Sequence, residues 1–367
     1  MANMQRRTFV KGAMASLVVL TTPFSLAKSD KKAPKVVWVV LRGAMDGMHA
    51  VIPVFDPMLS QHRPQIASKV IDSPLLLDQG YRLHPEFKQL HTWYQNKQAS
   101  FVVAVGSGYP SRSHFDGQDY LESAGQGQES GWLARALEAK QGAAVAITQA
   151  TPISLRGASS PVTTWYPSKL RDNPEDTYEA ILSMYQEDPM LQQAFAQGLE
   201  LKMKAMMGES GQQNGQFKSL AKGCARLLKG ESADCAMLEL GGWDTHNNQA
   251  GRLARQFGIL DEGLGALKQE LGSEWDNTLV IVATEFGRTV KQNGTQGTDH
   301  GTASMMMLAG GKLKNGGKVL GQWPGLKENQ LYQGRDLAPT SNMYDWIAGS
   351  LADHWQVSES QLRKLIG

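Results

Sequence analysis

The stretch Thr278-Leu-Val-Ile-Val-Ala-Thr-Glu-Phe-Gly-Arg288 is a continuous apolar run that ends in a glutamate, a glycine and an arginine. An apolar run without alternation is typical of a parallel strand that is buried on both faces. The amphipathic stretch 249–271 precedes it, and a second apolar run, Cys235-Ala-Met-Leu-Glu-Leu240, precedes that stretch. This order predicts a strand–helix–strand crossover with polar side chains just beyond the carboxyl ends of the strands, where open parallel sheets bind their ligands.

The same alternation extends over the rest of the chain. Further apolar runs predict strands at 35–41, 100–105, 143–147 and 303–308, with amphipathic stretches between them. We therefore predict an α/β fold with three α/β/α layers and a mainly parallel central sheet. No boundary divides residues 28–367 into independent domains, and the Met- and Gln-rich stretch 174–230 is interpreted as an accessory helical segment.

The amino terminus resembles an export signal. Gln5-Arg-Arg-Thr-Phe-Val-Lys11 has the pattern of a twin-arginine motif, and Ser25-Leu-Ala27 offers a small-residue cleavage site after an apolar stretch. A membrane anchor is the alternative, but the stretch is short and rich in Gly, Ser and Thr for a span. We expect residues 1–27 to be a cleaved signal peptide and the twin-arginine translocase to be a partner during export. We expect the mature chain to have no stable membrane span and to be periplasmic or extracellular.

The charge balance gives no sign of a nucleic-acid binder. The 37 Lys and Arg residues include Arg6, Arg7 and Lys11 of the leader, and without these three, 34 basic residues stand against 35 acidic ones. No block of like charge stands out, so we expect no nucleic-acid partner. Cys224 and Cys235 form either a disulfide in an oxidising compartment or two buried thiols, and their spacing is not that of a metal finger.

Two pairs of polar residues are candidate metal ligands. Asp244 and His246 alternate just after the run 235–240, so both can face one ion if the chain stays extended there. Asp299 and His300 follow a Gly-containing loop that lets them close onto a site from outside the sheet. His300 is predicted to be a ligand, with Asp299 as its orienting partner or as a further ligand.

Two carboxylates at predicted strand ends complete the candidate ligands. Glu285 ends the run 278–284, and a buried glutamate needs an ion or a partner, for which a salt bridge to Arg288 is the alternative. Asp46 follows the run 35–41 in a Gly-containing loop, where a turn aspartate that caps its own loop is the alternative. Carboxylate and imidazole ligands suit zinc, manganese or iron.

The segment Ser111-Arg-Ser-His-Phe-Asp116 supplies the candidate catalytic residues. Ser113 is predicted to begin a helix over 114–123, a position that favours a bound phosphate or an alkoxide, with plain capping as the alternative. His114 stands beside it, and Arg112 either pairs with an anionic substrate group or is an ordinary surface arginine. The chain has no phosphate-binding GxxxxGK[ST] loop, no GxGxxG after a strand and no GxSxG elbow, which disfavours nucleotide-binding and α/β-hydrolase functions.

Taken in order, the motifs resemble the twin-arginine-exported family called domain of unknown function 1501. The resemblance extends from about Lys35 to the carboxyl terminus and includes Gly334-Arg-Asp336. It implies a relation to the alkaline phosphatase and sulfatase superfamily and its fold, but no established reaction. The motifs that carry it are Leu41-Arg-Gly-Ala-Met-Asp-Gly47, Ser111-Arg-Ser-His-Phe-Asp116, Gly241-Gly-Trp-Asp-Thr-His246, Thr284-Glu-Phe-Gly-Arg288 and Thr298-Asp-His-Gly301.

The resemblance implies roles for individual positions. The sequence departs from the superfamily pattern at two points. Phe286 occupies the place of a histidine in an Asp-His-Gly strand ending, and the Asp244–His246 spacing is shorter than in the phosphatases. The implied roles are Asp46 as the first-strand metal aspartate, Ser113 as the nucleophile, Asp244 and His246 as the pair of one metal site, Glu285 as the strand-end carboxylate and His300 as the late histidine ligand.

We therefore expect a metal-dependent hydrolase of phosphate or sulfate esters whose substrate is an anionic small molecule or glycan ester. One or two divalent ions are expected, zinc in the first place, with manganese, calcium or iron as alternatives. A non-catalytic envelope binding protein that retains the fold is the alternative function, and Phe286 favours it. The expected metal ligands are Asp46, Asp244, His246, Glu285, Asp299 and His300, and the expected catalytic residues are Ser113, His114 and Arg112.

Overall fold

The computed structural model describes residues 16–20, 33–167, 216–229 and 233–367, together with a few positions between 181 and 195. Most of the predicted signal peptide, 1–27, lies outside the described residues, as does most of the predicted accessory segment 174–230. Within the predicted signal peptide, Ser16–Leu20 is described as an edge strand that pairs antiparallel with Val162–Pro167.

In the described residues, a ten-stranded mixed sheet forms the centre of the fold. Its strands are β1 (Ser16–Leu20), β2 (Lys35–Leu41), β5 (Ala99–Gly106), β6 (Ala144–Ala146), β7 (Val162–Pro167), β8 (Cys235–Leu240), β9 (Thr278–Thr284), β10 (Ser304–Gly310), β11 (Val319–Leu320) and β12 (Ser341–Asn342). The order is β1-β7-β6-β8-β2-β9-β10-β5-β11, with β12 also paired with β5, while β3 (Val51–Ile52) and β4 (Arg82–Leu83) pair separately.

Helices cover both faces of the sheet. They are α1 (Gly47–Ala50), α2 (Met58–His62), α3 (Pro64–Ala67), α4 (Lys88–Gln95), α5 (His114–Ser123), α6 (Trp132–Glu138), α7 (Gln216–Lys229), α8 (Gln249–Leu271), α9 (Met343–Trp355) and α10 (Glu359–Ile366). No helix in the described ranges has the length and apolarity needed to cross a membrane.

The predicted three-layer arrangement is confirmed by the two faces of β2. Val37 and Val39 pack in one core with α4, α7 and α8. Trp38 and Val40 pack in a second core with α6, α9 and α10. Because the strand is buried on both faces, its sequence is apolar without alternation. Cys224 and Cys235 lie buried as free thiols.

The pairing directions explain where a site can form. Strands β7, β6, β8, β2 and β9 are parallel, so the mainly parallel sheet is confirmed. Strand β10 runs antiparallel between β9 and β5. Its first residue, Ser304, therefore faces Val105 at the end of β5, at the edge where β2, β8 and β9 also end. The connections 42–46, 107–113, 241–248 and 285–303 consequently meet at one edge of the sheet.

Candidate metal centre

Glycines let the connections at this edge approach one another closely. A Cβ atom on Gly287 would lie 1.8 Å from the carbonyl oxygen of Ala303, and one on Gly297 would lie 2.2 Å from that of His246. The backbone of Gly301 approaches Arg288 in the same way, where an added Cβ would lie 2.4 Å from the carbonyl carbon. None of these three glycines has a positive φ, so the motifs need glycine here for space rather than for an unusual backbone conformation.

Three histidines surround the carboxylate of Asp244. Its Oδ1 lies 2.9 Å from Nε2 of His246 and 3.3 Å from Nε2 of His300, and its Oδ2 lies 3.5 Å from Nε2 of His114. The Nε2 atoms of His246 and His300 are 3.1 Å apart. His114, Asp244 and His300 form the one group in the described residues whose ligand atoms lie close enough together, all within 4.8 Å, to hold a metal ion.

The other ring nitrogen of each histidine is held by an acceptor. Nδ1 of His114 lies 2.8 Å from Oε1 of Glu285, and Nδ1 of His246 lies 3.2 Å from Oδ1 of Asp299. Nδ1 of His300 lies 2.8 Å from the backbone oxygen of Arg112. A carboxylate or carbonyl oxygen can only accept, so each Nδ1 carries a hydrogen, and each ring directs its Nε2 at the centre.

These distances fit the coordination shell of a divalent ion. With ligand bonds of about 2.0–2.1 Å, two ligands of a tetrahedral zinc ion lie roughly 3.3 Å apart. Nε2 of His114 is buried without a hydrogen-bond partner in the described residues. The Nε2 atoms of His246 and His300 lie 3.1 Å apart, and both are beside Oδ1 of Asp244, so three potential ligand atoms meet at one point. The donor set and its unpaired atoms therefore fit a metal ion.

Hydrogen bonds engage both carboxylate oxygens of Glu285. The carboxylate is therefore fixed in place, and it orients the ring of His114. Oε1 accepts from His114, from the N–H of Gly43 at 2.9 Å and from Gln118 at 3.2 Å, and Oε2 accepts from the hydroxyl of Thr284 at 2.9 Å. Burial opposes ionisation, but these hydrogen bonds, led by that of His114, hold the pKa of Glu285 below its ordinary value. The same bond raises the pKa of His114, so the pair favours positive charge at Nε2, as a proton or a metal ion.

Arg288 fixes the central carboxylate. Its Nη1 donates to Oδ1 of Asp244 at 2.7 Å, while Nε and Nη2 donate to the side chain and the backbone oxygen of Thr298. Burial raises the pKa of Asp244, but the hydrogen bond and charge of Arg288 outweigh it and keep the pKa below its ordinary value. Asp244 therefore remains a carboxylate at the centre of the three rings.

Asp46 does not join this group. Its carboxylate is buried, and it accepts from Nη1 of Arg63 at 2.7 Å, from Nε2 of Gln249 at 2.6 Å and from the N–H of Met48 at 3.1 Å. Burial opposes ionisation, but the charge of Arg63 holds the pKa of Asp46 below its ordinary value. A guanidinium thus supplies the cation that the sequence interpretation assigned to a metal, and Asp46 reaches the centre only through Gln249 and its bond to Thr298.

Arg112 contributes its backbone rather than its charge. Its guanidinium donates to Oδ2 of Asp336 at 2.7 and 3.0 Å, and Asp336 is fully buried. The backbone oxygen of Arg112 then meets His300. Ser113 precedes α5 but makes no side-chain capping bond, so its hydroxyl is not used by the helix.

Phe286 forms an apolar wall of the centre. Its ring stacks on that of His114 at 5.1 Å between centroids and lies 5.4 Å from that of His300. A Cβ on Gly117 of α5 would lie 3.0 Å from the Phe286 ring, so this glycine makes room for the aromatic side chain. The departure noted in the sequence is therefore a packing residue against two of the histidines.

Sequence reasoning did not identify Arg63, Gln249 and Gln118. Each is a single polar residue outside any motif, and each acts through a partner far away in the chain, so no local signal marks it. Asp336 had a signal, because Gly334-Arg-Asp336 fits the family pattern, although its role as the partner of Arg112 could not be read from it.

The chain resembles several solved structures at low identity, while no curated protein matches it. The alkaline phosphatase from the Antarctic bacterium TAB5 is 10% identical, with a TM-score of 0.39 and coverage of 89% of this chain and 99% of that one. Ps i-CgsB, solved in complex with k-i-k-neocarrahexaose, is 12% identical, with a TM-score of 0.37 and coverage of 90% and 74%. The lipoteichoic acid synthase LtaP from Listeria monocytogenes is 11% identical, with a TM-score of 0.31 and coverage of 86% and 74%.

A family model described as "Protein of unknown function (DUF1501)" matches residues 104–366. The match covers well over half of the chain and confirms the family suggested by the motifs. The three histidines, Asp244 and Glu285 all lie inside the matched range. The chain belongs to the DUF1501 family.

Proposed function

We propose that the protein is an exported hydrolase of phosphate or sulfate esters that depends on one divalent metal ion, zinc in the first place. The ion is held by His114, Asp244, His246 and His300. The observation that carries this proposal is the convergence of three Nε2 atoms on one carboxylate while each Nδ1 is fixed from behind. Imidazole and carboxylate ligands are those that zinc and manganese accept.

A bound ion would polarise an ester oxygen and increase the acidity of a water molecule or hydroxyl group beside it. The chain's own groups prepare the ligands for it. Glu285 and Asp299 orient two of the rings, and Arg288 keeps Asp244 ionised in place. This arrangement resembles the outer hydrogen bonds that commonly fix metal-binding histidines.

Two residues at the centre are proposed to meet the substrate. Ser113 lies next to His114 at the start of α5, and its hydroxyl is free of any capping bond, which suits a nucleophile or a substrate contact. Arg335 donates to the backbone oxygen of His300 at 2.7 Å, and its side chain is 41% exposed. Its Nε also lies 3.7 Å from Oδ1 of Asp336, but this contact is longer than the 2.7 Å contact of Arg112. Arg335 is also the more exposed of the two, which favours it for attracting an anionic ester.

The first test is metal analysis of protein purified without a histidine tag. We expect about one ion per chain, and we expect His300→Ala and Asp244→Asn to lose it. His91→Gln is the matched control, because His91 lies away from the centre and bonds only to the backbone oxygen of Leu76 in the described residues. A metal content that is the same in all three variants would refute the assigned ligands.

The second test is hydrolysis of aryl phosphates and aryl sulfates by the metal-loaded protein. Activity that disappears with His300→Ala supports the proposal, and loss of turnover with retained metal in Ser113→Ala supports serine as the nucleophile rather than water. Protein that binds no metal after reconstitution with zinc or manganese and hydrolyses neither ester refutes it. Protein that binds metal but hydrolyses nothing refutes catalysis and supports the alternative, a binding protein whose Phe286 wall occupies part of the site.

A further inference from the structure

A cavity lies at the N-terminus of α8, and none of the residues that line it belongs to the metal centre. Its volume is about 390 Å³. The lining includes Gln65 and Lys69 from the segment around α3, His84 beside β4, Gln296 from the 285–303 connection, and Ala250 and Gly251 from the first turn of α8.

The first turn of α8 presents backbone N–H groups without acceptors. The N–H of Gln249 donates to the backbone oxygen of Gln296 at 2.9 Å. In the described part of the chain, the N–H groups of Ala250 and Gly251 have no such partner, and the N-cap residue Asn248 makes no side-chain capping bond. Because α8 has 23 residues, its aligned peptide dipoles favour negative charge at this end.

His84 supplies an independent donor to the same cavity. The residue is only 3% exposed, and its Nδ1 accepts from the N–H of Glu86 at 3.2 Å. Burial, with a contribution from His49, lowers the pKa of His84 to about 3, so the ring is neutral at ordinary pH. Since Nδ1 is an acceptor, the hydrogen is on Nε2, which has no partner among the described residues although the ring lines the cavity. The side chain is almost entirely buried, yet Nε2 is free to donate to a ligand in the cavity that the residue lines.

The charges at the rim agree with an anionic occupant. Lys69 is exposed, lines the cavity and makes no ion pair within the described residues. Glu86 is the acid of the lining, and its carboxylate lies 3.8 Å from Nζ of Lys88. Its Oε2 lies 3.9 Å from the position of a Cβ on Gly258, about two turns along α8 from the free N–H groups.

We propose that this cavity binds a tetrahedral oxyanion, phosphate or sulfate, through the N–H groups of Ala250 and Gly251, Nε2 of His84 and the ammonium group of Lys69. The oxyanion is either the free ion or the ester group of a larger ligand. The site is separate from the metal centre and does not depend on hydrolysis there. It makes the protein a phosphate- or sulfate-binding protein at a second position.

The test is calorimetric titration with inorganic phosphate at constant ionic strength, with chloride as the background anion. The protein is treated with a chelator that is then removed, so that no metal ion is left to bind phosphate. We expect saturable binding with one site per chain. We expect the Kd to rise about tenfold in His84→Phe, which retains an aromatic ring but no donor, and about threefold in Lys69→Gln. Lys364→Gln, an exposed lysine on α10, is the matched control and should leave the Kd unchanged.

Absence of saturable phosphate binding, or equal affinity of Lys69→Gln and Lys364→Gln, would overturn the proposal. If His84→Phe does not fold, which its thermal unfolding in chloride will show, the two lysine variants decide. A parallel titration with phenyl phosphate distinguishes the sources of the oxyanion. Tighter binding of inorganic phosphate supports the free ion as ligand, and tighter binding of phenyl phosphate supports an ester group.

Discussion

Replacement of Glu285 distinguishes an orienting carboxylate from a metal ligand. Glu285→Gln keeps the shape of the side chain and leaves one oxygen to accept from His114 and from the N–H of Gly43. The new amide group can donate to the hydroxyl oxygen of Thr284, so the hydrogen bonds survive and the negative charge is lost. We therefore expect metal affinity to fall about tenfold, the lower end of the range for groups that orient a ligand, which is about 1.4 kcal/mol.

A matched substitution sets the scale of that loss. Asp244→Asn makes the same carboxylate-to-amide change at a residue that contacts all three histidines. We expect its affinity loss to exceed about a hundredfold, because an outer group typically costs no more than that. Both affinities are measured by competition with a zinc-binding dye on protein without a tag. If Glu285→Gln loses as much affinity as Asp244→Asn, Glu285 is itself a ligand and the orienting role is refuted.

Three further substitutions test the packing and charges around the centre. Gly287→Ala should lower the unfolding free energy, measured by denaturant titration, by about 1–3 kcal/mol and weaken metal binding. Gly294 has open space around it, so Gly294→Ala should have neither effect. Equal effects of the two substitutions would contradict the argument that Gly287 is needed for close approach. Arg63→Ala leaves Asp46 as an uncompensated buried charge and should lower the unfolding free energy by about 3–5 kcal/mol. Adding Asp46→Asn should restore stability if this is the cause, and no restoration would argue against it. Burial, with a smaller effect of Arg63, lowers the pKa of His49 to about 4 in the folded protein, against 6.5 for the free side chain. The unfolded chain therefore takes up the proton first, and the free energy of unfolding should fall by about 3 kcal/mol as the pH decreases from about 6.5 to about 4. This pH dependence must be weaker in His49→Gln if the assignment is correct.

The parallel centre of the fold could be predicted because its strands are buried on both faces. The bounds predicted for the strands at 35–41 and 235–240 and for the helix at 249–271 agree with β2, β8 and α8. The strand β7 was not predicted, since Val162–Pro167 contains two threonines and follows Pro161, a composition that lacks a long apolar run. The antiparallel direction of β10 was also not predicted. A parallel return strand normally requires a helix in the connection, and the 285–303 connection contains none, so this signal for an antiparallel strand was present in the sequence.

The sequence indicates several residues that meet at this edge of the sheet, but not how their side chains are arranged there. The motifs contain His114, Asp244, His246 and His300, yet sequence does not say which atom of a side chain faces inward. Glu285 has the composition of a ligand, but its Oε1 contacts Nδ1 of His114, and Gly43 and Thr284 also donate to its oxygens.

The same limit applies to Asp46, whose position at a strand end is that of a ligand. Its counterion comes from Arg63, and the local sequence around Arg63 contains nothing that points to Asp46. Long-range partners of this kind depend on how the loops fold back over the sheet, which is a property of the whole chain rather than of a motif.

The antiparallel strand β10 also affects when the centre can form during folding. The bond between His300 and Arg112 closes a sequence separation of 188 residues, and that between His114 and Glu285 closes one of 171. Such contacts carry a large loop-closure cost, so we expect them to form late in folding. An ion that binds there would act as a late cross-link between distant parts of the chain, and by mass action it would stabilise only the fully assembled sheet. Metal supply would then decide how long the assembled fold persists.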